Sequence, residues 1–204
     1  MNQTTGLCAL CRAVDENAPE VRRVYDTPLL ASSSFVVIPA VGPITPGHVM
    51  VVSRNHSPNL GSMGQTKIRE YRSLVESISK HSGFGELLEG EHGASADESG
   101  GACITHAHVN LIPGFSHLVD MLELNLPSLE VDHDLQTLKS DAAPYILLRG
   151  GGIVRLYRAH AVPSQLIRRV LFAKVGRDDW DWGAYPNLNV VQETLELWGK
   201  ESHG

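Results

Sequence analysis

The chain has 204 residues, 42% of them hydrophobic and 20% charged, which is enough for one soluble domain with a sizeable core. Its formal net charge of −6 argues against broad nucleic-acid binding through a basic face. No apolar run approaches the roughly 20 residues that span a bilayer. The N-terminal MNQTTGLCALCRAVDEN shows no basic segment leading into an apolar one, so a cytoplasmic protein without a secretory leader is expected. In chain order, SFVVI (34–38) and HVMVVS (48–53) predict two antiparallel strands around the turn PAVGPITPG. From Met63 to His81, Ile68, Tyr71, Leu74, Val75 and Ile78 recur at three- and four-residue intervals, which predicts an amphipathic helix. GELLEGEHG (85–93) is a short strand, followed by the small-residue loop ASADESGG and a further strand over 101–114. Residues 115–140 read as helical or irregular. YILLR and IVRLYRA flank Gly150-Gly151-Gly152 as a hairpin, and helices are expected over 163–176 and 190–198. This order is that of an α+β fold.

The stretch GACITHAHVNLIPG (101–114) carries the chemistry. Strand side chains alternate between faces, so His106, His108 and Asn110 share one face while Ala107, Val109 and Leu111 turn to the core. A solvated strand face is the bland explanation; the Gly-rich entry and Pro-Gly exit favour a cleft. Ser99, Gly100 and Gly101 precede the motif in a loop whose backbone amides can approach a phosphate.

Three cysteines are an odd number, and two are spaced as Cys8-x-x-Cys11, which indicates metal or redox chemistry rather than a structural disulfide. A closed tetrahedral site needs two more ligands beside the two thiolates. His56, just past the second strand, and His106 are candidates, with His48 a rival. A redox pair or two buried small side chains are the other readings of Cys8 and Cys11.

THAHVNLIPG, PITPGHVMVVSRNHSPNL and CALC together resemble the histidine-triad (HIT) superfamily of nucleotide hydrolases and transferases, including its zinc-binding galactose-1-phosphate uridylyltransferase branch. The resemblance runs over about residues 8–198. It implies a HIT-like antiparallel sheet with packed helices, a single domain over 1–204 with a core at about 8–114, and a C-terminal helical extension over about 115–204. It also implies structural zinc on Cys8, Cys11, His56 and His106. His108 would be the nucleophile that attacks the α-phosphorus of a nucleotide or nucleotide conjugate and becomes a transient nucleotidyl-histidine. A homodimer is implied as well. The alternative is a zinc-containing nucleotide binder without turnover.

Two positions depart from the pattern. Asn110 stands where hydrolytic members carry a third His and the uridylyltransferase branch a Gln. An amide can donate to a phosphate oxygen but carries no proton at neutral pH, which favours a transferase or phosphorylase. Cys103 stands where relatives carry a Ser that contacts the leaving group, and a thiol is a poor donor. Gln165 and Arg168 share a face of the 163–176 helix and are further candidates for phosphate binding.

Overall fold

A computed structural model describes residues 8–17, 23–80, 84–95, 101–122, 124–129 and 143–199. Runs of Val, Ile, Leu and Phe form the strands, because branched and aromatic side chains suit a pleated, buried surface. Strands β1 (Leu30–Ala31), β2 (Phe35–Pro39) and β3 (Val49–Ser53) make a meander across the Pro/Gly-rich turn 40–48. With β4 (Leu87–Gly93), β5 (His108–Pro113), β6 (Ser128–Leu129), β7 (Tyr145–Gly150) and β8 (Ile153–Arg158) they build one antiparallel sheet of eight strands, ordered β1-β2-β3-β5-β4-β7-β8-β6. The predicted hairpin is β7–β8, and its turn holds Gly151 at φ 57° and Gly152 at φ 76°, which a tight hairpin turn requires.

Four helices are described: α1 (Ala9–Ala13), α2 (Gln65–Lys80), α3 (Leu166–Lys174) and α4 (Leu188–Gly199). The five apolar residues whose spacing predicts α2 are the ones it buries. They pack, with Trp198 of α4, on Val37, Val51, Val109, Leu111, Tyr145 and Leu147. The alternate residues face the other way. Val36, Ile38, Met50 and Val52 meet Leu10 and Ala13 of α1, while Leu88, Ile112, Ile146 and Leu148 meet Ile167, Leu171 and Phe172 of α3. Between α1 and α3 this second face opens into a cleft over the middle of β5.

The structure departs from the sequence expectations in four places. The motif strand begins only at His108, so residues 101–107 are a loop and His106 does not share the strand face of His108 and Asn110. Ala107 explains the break: its N–H donates to the Ser57 carbonyl at 2.6 Å and its carbonyl accepts from the Ser53 N–H at 3.0 Å. α3 begins at Leu166 because Gln165, at φ 59°, lies in the left-handed region. α1 is too short for its period to show in sequence. Within 115–140, a 3₁₀ turn over Ser116–Met121 and β6 are described, and residues 123 and 130–140 lie outside the described residues.

β4 also buries two carboxylates on the α2 side. Tyr71 donates to Glu89 at 2.6 Å. Glu91, 1% exposed, accepts from the Leu60 N–H at 2.7 Å and from the Tyr145 hydroxyl at 2.5 Å. It is therefore a core residue turned away from the cleft. Burial pushes its carboxyl up to about 7 from the usual 4.5. A raised carboxyl favours the neutral form in the folded chain, so its contribution is full below about pH 4.5 and is lost as pH rises through about 7. Urea unfolding of Glu91→Gln and wild type should show the variant gaining about 1–3 kcal/mol relative to wild type between about pH 4.5 and pH 8. A difference independent of pH would contradict this assignment.

Candidate functional site

Cys8 caps the start of α1 and Cys11 lies one turn on, so both thiols leave the same side of a short helix. His56 follows β3, and His106 sits in the loop before β5. The four ligand atoms all lie within 4.8 Å of one another. Cys11 Sγ is 3.3 Å from His56 Nδ1 and 3.4 Å from His106 Nδ1, and Cys8 Sγ is 3.4 Å from His106 Nδ1. Metal–ligand bonds of about 2.0–2.3 Å in a tetrahedron imply edges of roughly 3.3–3.8 Å; the three sulfur–nitrogen pairs match such edges, and the set could hold a four-coordinate metal ion. The tautomer of His106 fits too. Its Nε2 lies 2.7 Å from the Ser53 carbonyl, which can only accept, so the proton is on Nε2 and the Nδ1 lone pair faces the thiols. Burial and the neighbouring Cys8 thiol push Cys11 up to about 12, a repulsion that a bound cation would reverse.

The same residue reaches the cleft by its backbone. His108 Nδ1 lies 2.7 Å from the His106 carbonyl, so Nδ1 carries the proton and Nε2 presents a lone pair. Burial lowers the His108 pKa and keeps the ring neutral. Asn110 is oriented from behind. The Ile44 N–H donates to His48 Nδ1 at 3.2 Å, which places the His48 proton on Nε2, and this donates to Asn110 Oδ1 at 3.1 Å. The Asn110 carbonyl oxygen is thereby engaged, and its NH₂ group remains as a donor. His48 is 1% exposed, and burial together with Arg168 lowers its pKa to about 3. It stands outside the Cys/His cluster and carries no charge.

His108, Asn110, Cys103, Gln165 and Arg168 all line the cleft. Cys103 is exposed on the loop before β5. Gln165 bridges to Asp181 Oδ1 at 3.1 Å and accepts from the Trp182 N–H at 3.3 Å. Arg168 donates to the carbonyls of Trp180 at 2.8 Å and Gly42 at 2.7 Å, and burial lowers its pKa to about 10. Gly101, at φ 89°, presses its α-carbon against the Val162 carbonyl, where no side chain fits. Ser99 and Gly100 lie outside the described residues. The cleft is also lined by Arg23, Tyr25, Asp26, His92 and Trp182. The orienting role of His48 had a sequence signal: it alternates with Met50 and Val52 toward the face that pairs with Asn110 and His108. A larger cavity of about 700 Å³ lies on the α2 side near Arg72, Glu89 and Arg149, and among the described residues neither imidazole nor thiol lines it.

No family model matches the chain, and neither does any curated protein. Among solved structures it is similar to a histidine triad protein from Clostridium difficile, at 19% identity over 56% of this chain and 94% of that one, TM-score 0.42. It is similar to a HIT family hydrolase from Clostridium thermocellum at 16% identity over 53% and 90%, TM-score 0.39. A DUF4931 family protein from Bacillus cereus matches at 11% identity over 82% and 99%, TM-score 0.43. The fold is an α+β one, an antiparallel eight-stranded sheet with helices packed on it. At these identities the likeness is one of architecture, and the site stands on its own geometry.

The metal centre predicts a coupled loss. A Cys8→Ser/Cys11→Ser double variant should bind no metal by plasma emission analysis and melt well below wild type, since a structural metal contributes folding free energy directly. A full equivalent of metal in that variant would remove this cluster from consideration.

Proposed function

We propose that the protein transfers a nucleoside monophosphate from a nucleotide or nucleotide conjugate, through His108, to water or to a second acceptor. The observation that carries this reading is the His108 ring. Its Nδ1 proton is held by the His106 carbonyl at 2.7 Å, which leaves Nε2 as a neutral nucleophile in the cleft. Nε2 attacks the α-phosphorus, and the leaving group departs in line. The Asn110 amide, oriented by His48, donates to a non-bridging oxygen as negative charge builds there. Cys8, Cys11, His56 and His106 would hold zinc, which bound there supplies a closed structural cross-link and takes no part in the reaction. Gln165 and Arg168 keep the far wall of the cleft in place, and Cys103 and Gly101 belong to the loop that a leaving group would meet. A single domain over 1–204, a homodimer and a cytoplasmic setting complete the proposal. Among the described residues no helix is long and apolar enough to cross a membrane.

The donor-only Asn110 supports transfer to an acceptor that is already ionised, such as phosphate or a phosphate ester, over hydrolysis. It also keeps alive the reading of a nucleotide binder without turnover. A screen of dinucleoside polyphosphates, nucleotide sugars, nucleoside phosphoramidates and nucleoside phosphosulfates, with and without phosphate, separates these readings. His108→Ala should lower turnover on the best substrate by about 10³-fold or more with metal content unchanged. Asn110→Ala removes one hydrogen bond to a charged phosphate, worth about 1.5–3 kcal/mol or roughly 10- to 150-fold. Wild-type turnover in His108→Ala would sink the covalent mechanism, and tight binding with no turnover of any substrate would leave the binder.

A further inference from the structure

The proposed reaction lacks a proton carrier where a third histidine would stand. Asn110 holds no transferable proton at neutral pH. His48 behind it is buried, with one ring nitrogen engaged by the Ile44 N–H and the other by Asn110. The Arg23 and Arg168 guanidiniums, also on the cleft wall, do not release protons. A leaving group that departs as an alkoxide or an amine needs a proton, so a further group must supply it.

The strand next to β5 carries one. On β4, Gly90 and His92 face the cleft while Glu89 and Glu91 turn to the α2 side. Gly90 pairs in register with Asn110. It has no side chain, so the space before the Asn110 amide stays open, and a β-carbon there would meet Ile167 at 3.5 Å and Leu148 at 3.7 Å. His92 is the next side chain on that face, about 6.7 Å farther along β4. The pairing is antiparallel, so this step runs from the Asn110 level toward the His108 end of β5. His92 is half-buried and lines the same cleft as His108 and Asn110. Apart from His108, it is the imidazole on that wall among the described residues, and imidazole gives and takes protons near neutral pH.

We propose that His92 is the general acid and base of the nucleotidyl transfer, a role that rests on His108 being the nucleophile. The His108 Nε2 lone pair forms the N–P bond. The bond from phosphorus to the leaving oxygen or nitrogen breaks, its electron pair stays on the departing atom, and that atom takes the proton of the His92 imidazolium. An acceptor already ionised then attacks phosphorus without a base, whereas for water or an acceptor hydroxyl neutral His92 accepts the proton as the oxygen attacks. The N–P pair returns to His108 Nε2.

The role predicts a dependence on the leaving group that a structural histidine would not show. The probes are the 5′-phosphoramidates, 5′-(methyl phosphates) and 5′-(p-nitrophenyl phosphates) of adenosine and uridine. p-Nitrophenolate leaves without a proton. In the first step alone, read as leaving-group release in a single turnover, His92→Gln should lose about 100-fold or more on the methyl esters and phosphoramidates, and under about fivefold on the p-nitrophenyl esters, which also show that the variant is folded. Free imidazole should restore part of the lost rate in His92→Ala. Equal losses on both ester types, or no loss on either, would overturn the assignment. Intact mass of the wild type with each probe separates the two levels of the account. A nucleotidyl adduct on His108 together with a uniform His92 effect overturns the His92 role alone. No adduct and no turnover in wild type overturns it together with the reaction it serves.

Discussion

The site depends on one residue facing two ways. The His106 side chain lies 1% exposed among the two thiols, pinned through Nε2 to the Ser53 carbonyl at 2.7 Å. Its carbonyl, at the same distance, holds His108 Nδ1. Whatever fixes the ring of His106 therefore fixes the tautomer and direction of His108. A metal ion on Cys8, Cys11, His56 and His106 would make that constraint rigid from three separate places in the chain. The cluster is thus more than a staple for a small helix: Ala107 alone separates its His106 from His108.

The rest of the fold serves the strand that follows. β5 sits in the middle of eight strands, so its backbone is hydrogen-bonded on both sides and its residues are held in register. The turn before β3 brings His48 behind Asn110, and that turn is tied down from the C-terminal part of the chain. Arg168 donates to the Gly42 carbonyl at 2.7 Å and Arg177 to the Ile44 carbonyl at 2.8 Å, while the Gly42 N–H donates to the Pro186 carbonyl at 2.9 Å. Gly42 itself, at φ 61°, has no room for a side chain beneath Trp182 and Tyr185. The residues beyond 160 therefore wall the cleft and steady the backbone that orients Asn110.

Much of this was legible in the sequence, for identifiable reasons. The period of α2, the β-branched runs of β2 and β3, and the hairpin glycines at 150–152 are local signals, and the structure follows them. Cys8, Cys11, His56 and His106 converge as the CxxC spacing and the strand-end histidine suggested. What failed was local structure set by distant partners. His106 leaves the strand because Ala107 bonds to Ser53 and Ser57. Glu91 lies in the predicted strand 85–93, but that it is buried depends on the Leu60 amide and Tyr145, both remote in sequence. Arg168 and Gln165 look free on a helix face until the 180–182 segment folds over them. No pattern in single-chain periodicity reports such long-range partners.

The central claim is the ring state of His108, and nitrogen-15 NMR of the imidazoles in the metal-loaded protein reads it directly. The geometry predicts that at neutral pH His108 is neutral with its proton on Nδ1 and a bare Nε2, and that His48 and His106 are neutral with theirs on Nε2. A His108 found protonated on Nε2, or as the imidazolium, would contradict the account, because no lone pair would then face the cleft.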